Sequence, residues 1–135
     1  MRVSRVQIPS GPFMHLSTDK IEKEIEKAKN NLIIVEGRKD KAALQQLGFT
    51  DIFVINETGK SLSETIEEIE GIAAQNKNKV CILTDFDKKG KKIYMMLKSK
   101  FSERGVKLDN SLRSMLLKMH ISHIEGLSSF LEKKI

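Results

Sequence analysis

The chain has 135 residues, with 24 Lys and Arg against 18 Asp and Glu, a formal charge of +6, and 39% hydrophobic and 31% charged residues. A domain of this size removes roughly two-thirds of its unfolded surface from water, so a core forms without staples, and the composition excludes a disordered tail, a collagen-like repeat and a disulfide mini-protein. Apolar runs such as 32–35 and 52–55 are four residues long, against the ~18 needed to span a bilayer. Cys81 is the only cysteine, which leaves neither an internal disulfide nor a cysteine-based zinc site, and a reducing, cytoplasmic setting with no membrane contact is expected.

Charge is unevenly placed. Residues 1–87 hold 12 basic and 14 acidic groups, a net of −2, whereas residues 88–135 hold 12 basic and 4 acidic, a net of +8. A cationic half attracts polyanions through counterion release and long-range steering, with nucleic acid the commonest candidate. A solvated Lys-rich helix face is the plainer alternative.

Met1 to Phe13 hold both prolines, Pro9 and Pro12, two arginines and no acid. They lack periodicity and the apolar stretch of a secretory signal. The string Arg5-Val6-Gln7-Ile8-Pro9 is what one frame of a transfer-RNA T-arm would encode, and Met14 offers a start just after it. Residues 1–13 are therefore expected to be a disordered or mis-assigned extension, a genuine flexible arm being the alternative, and residues 14–135 a single domain.

From Ser17 the pattern is regular. Asp19 with Glu22 is an N-terminal helix signal, and Ile21, Ile25 and Ala28 share one face, which predicts a helix over 19–29. Leu32-Ile33-Ile34-Val35, bounded by Asn30-Asn31 and Gly37, reads as a buried parallel strand. A short helix over 39–47 closed by Gly48, a second strand over 51–55 and a third helix over 61–75 follow. Val80 to Thr84 repeats the first strand's character, residues 89–104 make a helix ended by Gly105, and Val106-Lys107-Leu108 is a candidate fourth strand. Leu112, Met115, Leu116 and Met119 keep helical spacing, and Ile124, Leu127 and Leu131 suggest a closing helix. Alternating strands and helices with right-handed crossovers imply an α/β sandwich over a parallel sheet.

In such a sheet, ligands bind beyond the carboxyl ends of the strands where strand order reverses. Glu36 follows the first strand, and Asp85 and Asp87 follow the third. If those strands are neighbours, three carboxylates converge and repel one another unless a hard cation neutralises them. Magnesium, which takes oxygen ligands and works with phosphate oxygens, suits the set. In extended chain Asp85 and Asp87 lie on one side, ~6–7 Å apart at Cα, with Phe86 facing away. The alternative is an acidic turn in which Asp87 caps the following helix.

Ile33-Ile34-Val35-Glu36-Gly37 with Asp40, followed some fifty residues later by Leu83-Thr84-Asp85-Phe86-Asp87-Lys88-Lys89-Gly90, resembles the two motifs of the Toprim domain, over about residues 30–110. This catalytic domain is shared by topoisomerases, bacterial-type primases, OLD-family nucleases and a maturase of small ribosomal RNA, and the chain is similar to small stand-alone Toprim proteins best known from archaea. The resemblance implies a three-layer, Rossmann-like α/β fold with a parallel sheet of about four strands flanked by helices. It further implies Glu36 as general acid or base and Glu36, Asp85 and Asp87 around one or two Mg2+ ions, with Mn2+ as a substitute, and Gly37, Asp40 and Gly90 as structural parts of the motifs. Tyr94, the only tyrosine, lies on a predicted helix among apolar neighbours, unlike a topoisomerase nucleophile. A primase's zinc module is not expected in a chain of this length, nor is the maturase's additional C-terminal RNA-binding region, although the Glu-Gly-x-x-Asp start is comparable to the maturase's.

Lys88, Lys89, Lys91 and Lys92 bracket Gly90 beyond the acids, and Arg38 and Lys39 adjoin Glu36, a placement that lets cations meet the phosphates of a bound strand. Other motifs fall away. Gly59-Lys60-Ser61 lacks the first glycine of a P-loop, where Val54 stands. The Asp-x-Asp of haloacid-dehalogenase-type phosphatases ends a first strand, not a third. His120 and His123, with Glu125 nearby, read as surface or packing residues rather than metal ligands, and Met95, Met96, Met115 and Met119 as core filler. The expectation is a magnesium-dependent domain that cleaves or processes nucleic acid, RNA preferred over DNA. Its alternatives are a non-catalytic nucleic-acid adaptor that keeps the metal site and a nucleotide-binding or phosphotransfer regulator.

Overall fold

Three short strands and five helices alternate along the computed structural model, which describes residues 18–121, 123, 124 and 126. The order is α1 (Thr18–Ala28), β1 (Leu32–Val35), α2 (Arg38–Gln46), β2 (Ile52–Val54), α3 (Leu62–Asn76), β3 (Val80–Ile82), α4 (Lys88–Glu103) and α5 (Ser111–Lys118). The expected N-terminal extension, and Glu125, Leu127 and Leu131 of the expected closing helix, lie outside the described residues. Helix ends fall within a residue of the periodicity, because the stops are chemical: α2 breaks just before Gly48, which adopts φ +94°, a conformation open to a residue without Cβ. β2 is shorter than its apolar run, since Ile55–Glu57 winds into a 3-10 turn.

The sheet is parallel throughout, in the order β2-β1-β3. Ile34 faces Phe53 in one ladder and Ile82 in the other. The two-residue period of each strand divides its side chains between two cores. Ile33, Val35, Cys81 and Leu83 join Ile21, Ile25 and Ala28 of α1, Leu44 of α2 and Leu112 and Leu116 of α5. Leu32, Ile34, Val80 and Ile82 meet Ile66 and Ile69 of α3 and Leu97 and Phe101 of α4. Sheet residues buried on both faces explain why the strands read as continuous apolar runs. The result is the expected three-layer α/β architecture. Among the described residues no helix is long and apolar enough to cross a membrane.

Among the described residues the sheet holds three strands rather than about four. Residues 106–108 contribute one parallel bridge between Val80 and Leu108, made by Val80 N–H to the Lys107 carbonyl and Asp109 N–H to the Val80 carbonyl, each 2.9 Å. Further along that edge a side chain replaces the strand. The carbonyls of Ile82 and Thr84 point the same way as that of Val80, and a guanidinium nitrogen of Arg113, from α5, donates to them at 3.3 and 2.7 Å.

Candidate functional site

β1 lies at the centre of the sheet, and the chain leaves it toward β2 before crossing back to β3. The order therefore reverses between β1 and β3, and the crevice beyond their carboxyl ends is where such sheets bind ligands. Leu83 N–H donates to the Ile34 carbonyl at 2.8 Å and carries the pairing past the end of β3. One step further, Asp85 N–H donates to Oε2 of Glu36 at 2.9 Å. This bond joins the two motifs across 49 positions of sequence.

The aspartates are held by backbone. Asp87 is the N-cap of α4, its Oδ1 accepting Gly90 N–H at 2.7 Å, so the capping role weighed from sequence is real and uses one of its two oxygens. Oδ1 of Asp85 accepts Ile124 N–H at 3.0 Å. Phe86 between them turns away from the acids into the core, 8% exposed. Oδ2 of Asp87 lies 3.7 Å from Nε2 of His123, and one donor atom each from Asp85, Asp87 and His123 falls within 4.8 Å of the others. Two carboxylates and an imidazole, partly or fully exposed, are a donor set that fits a divalent cation. Glu36 stands beside this group, tied to the Asp85 backbone.

Close approach holds the second motif to α4. Thr84 is fully buried, and its hydroxyl donates to the Gly90 carbonyl at 2.8 Å. A Cβ on Gly90 would lie 2.0 Å from the Asp85 carbonyl oxygen, so no other residue fits there without moving the motif. Gly37 differs. It caps α2 in an extended conformation with open space where a Cβ would go, and its N–H donates to Oδ2 of the buried Asp40 at 3.2 Å. Asp40 thus braces the turn after Glu36.

Behind the acids lies Arg113, which sequence reasoning passed over. It is 6% exposed, and its guanidinium carbon sits 4.5 Å from the Phe86 ring centre and 4.0 Å from that of Tyr94. Burial pushes its pKa below the usual arginine value, while Tyr94, Cys81, Glu36 and Asp85 pull it back. The rings and the carbonyl edge of β3 give the buried cation partners on its faces and on its donors. An arginine beside the apolar stripe of α5 looks like an ordinary surface residue in sequence, because nothing local reveals the open sheet edge it covers.

Lys88, Lys89, Lys91 and Lys92 are all exposed on the first two turns of α4, around buried Gly90. Arg38 and Lys39 are exposed at the start of α2, where Nε of Arg38 donates to Oε2 of Glu57 in an ion pair. The cations thus start from the same end of the sheet as the acids. Gly59-Lys60-Ser61 is a helix start, with Ser61 and Glu64 forming a capping box and Lys60 paired to Glu68 at 2.8 Å.

The family described as Toprim domain matches residues 31–122. A UPF0292 protein of Methanocaldococcus jannaschii is 29% identical over 111 residues, covering 80% of this chain and 84% of the relative. A UPF0292 protein of Thermoplasma volcanium is 32% identical over 104 residues, covering 76% and 84% respectively. A solved structure of a protein from Aquifex aeolicus superposes with a TM-score of 0.67 at 31% identity, covering 82% of this chain and 97% of that one.

Proposed function

Since the chain belongs to the Toprim domain family, we propose that it uses a magnesium ion at Asp85 and Asp87 to cleave or process nucleic-acid phosphodiester bonds, RNA in preference to DNA. The observation that supports this reading is the 2.9 Å bond from Asp85 N–H to Glu36, which ties the Glu36 carboxylate to the acidic motif at the crevice of a switch-point sheet. When bound, the ion supplies charge stabilisation at the scissile phosphate. Asp85 and Asp87, each fixed by a backbone N–H bond, would hold it. Glu36 moves the proton to or from the oxygen that attacks or leaves, and the lysines of α4 meet the phosphates on either side.

The test is Glu36→Gln, which keeps shape and hydrogen-bonding reach while removing proton exchange near neutral pH. Cleavage in a panel of RNA and DNA substrates under magnesium should fall by about 10² to 10⁴ while nucleic-acid binding survives. Full activity in the variant would remove Glu36 from the mechanism. A second reading has its own observation: Asp87 caps α4 and Asp85 anchors the Ile124 backbone, structural roles that give both acids a purpose in a non-catalytic, phosphate-docking adaptor. Binding with no cleavage by the wild type under magnesium or manganese would favour that adaptor.

A further inference from the structure

The turn that follows α5 returns to the acids. α5 ends at Lys118, and His120 takes φ 60°, reversing the chain. Ile121 and Ile124 are then buried in the core shared with Val35 and Phe86, 9% and 0% exposed. Between these two anchors His123 is exposed, and the backbone next to it is fastened to Asp85 by the Ile124 N–H bond. The imidazole thus stands next to the acids between two residues that the core positions.

We propose that His123 is a nitrogen ligand of the divalent ion held by Asp85 and Asp87, and that it shifts the site's preference from magnesium toward transition-metal ions. This inference rests on the reading above that the aspartates bind a metal. The 3.7 Å between Nε2 and Oδ2 of Asp87 is too long for a direct hydrogen bond. It is a separation that two donors adopt when one ion lies between them, since donors ~2.1 Å from a common ion are ~3 Å apart when adjacent and ~4.2 Å when opposite. The three donor atoms lie within 4.8 Å of one another, so a small movement of the half-buried Asp85 and the exposed Asp87 and His123 side chains brings them onto one ion. Chemically the set is mixed. Two carboxylates alone suit magnesium, which takes oxygen and keeps its waters, whereas imidazole raises affinity for the divalent transition metals.

Pulsed electron paramagnetic resonance of Mn2+ on the full chain tests this. Directly bound imidazole should appear as nitrogen modulation that changes on 15N-histidine labelling, disappears in His123→Ala and persists in His120→Ala. His123→Ala should weaken Mn2+ binding by about tenfold or more while changing Mg2+ binding far less, both read by calorimetry. Because the side chain is exposed, the variant should melt as the wild type does. If Mn2+ binds, is lost in the Asp85→Asn, Asp87→Asn double variant and shows no nitrogen modulation, His123 is not a ligand and the metal reading stands. If Mn2+ still binds the double variant, or does not bind the wild type, both inferences fail.

Discussion

Gly90 and Asp85 touch backbone to backbone: a Cβ built on Gly90 would lie 2.0 Å from the carbonyl oxygen of Asp85, 2.6 Å from its carbonyl carbon and 2.9 Å from its Cα. None of these atoms belongs to a flexible side chain, so an added methyl group must displace either the first turn of α4 or the acidic motif. Gly90→Ala should therefore destabilise the fold by about 1–3 kcal/mol or more and weaken metal binding as well. Gly37→Ala, where a Cβ meets open space and φ is −139°, should do neither. Thermal melts of the two variants, with and without magnesium, check the contrast.

The two roles of Asp87 are separable. Asparagine caps a helix about as well as aspartate, whereas alanine in place of a cap costs about 1 kcal/mol. Asp87→Asn with Asp85→Asn should leave the melting temperature without metal unchanged or slightly higher, since carboxylate repulsion is relieved, and should abolish the rise that millimolar magnesium causes by mass action. Asp87→Ala should lower the melting temperature even without metal. An undiminished magnesium response in the double variant would remove the metal site.

Nucleic-acid binding should weaken steeply with salt. Replacing Lys88, Lys89, Lys91 and Lys92 by Gln should reduce the slope by roughly 0.7 for each phosphate of a single strand that is no longer neutralised. Arg38 is already paired with Glu57, so Arg38→Gln should have a smaller effect than any one of the α4 lysines. Fluorescence anisotropy over a salt series measures both. Salt-independent binding would turn the lysine face into ordinary solvated surface.

Cys81 is fully buried in β3, and burial pushes its thiol up to about 12, with Asp109 adding to the shift. The folded state favours the neutral thiol relative to an ordinary value of 9.0. Its contribution to stability is therefore fully present below that value and is lost as pH rises from there toward 12. At about pH 8 a disulfide reagent should label Cys81 only in step with unfolding, because the thiolate is the reactive form. Rapid labelling of the native protein would contradict the burial of β3.

The five helices and three strands of the described residues, and the placing of Glu36, Asp85 and Asp87 after strand ends, were legible in the sequence. Burial on one helix face, burial on both strand faces, caps and glycine stops are all written within a few residues of where they act. The meeting of these elements was not. Only the β2-β1-β3 order brings Glu36 to the backbone of Asp85, and only the packing of α5 sets Arg113 where the candidate fourth strand gives out after a single bridge. The turn beyond α5 carries His123 to Asp87, although its spacing to His120 reads as surface or packing. Such bonds join residues 29 to 49 positions apart, and they depend on how buried faces dock across the sheet, a free energy shared among many side chains with no local pattern to announce it.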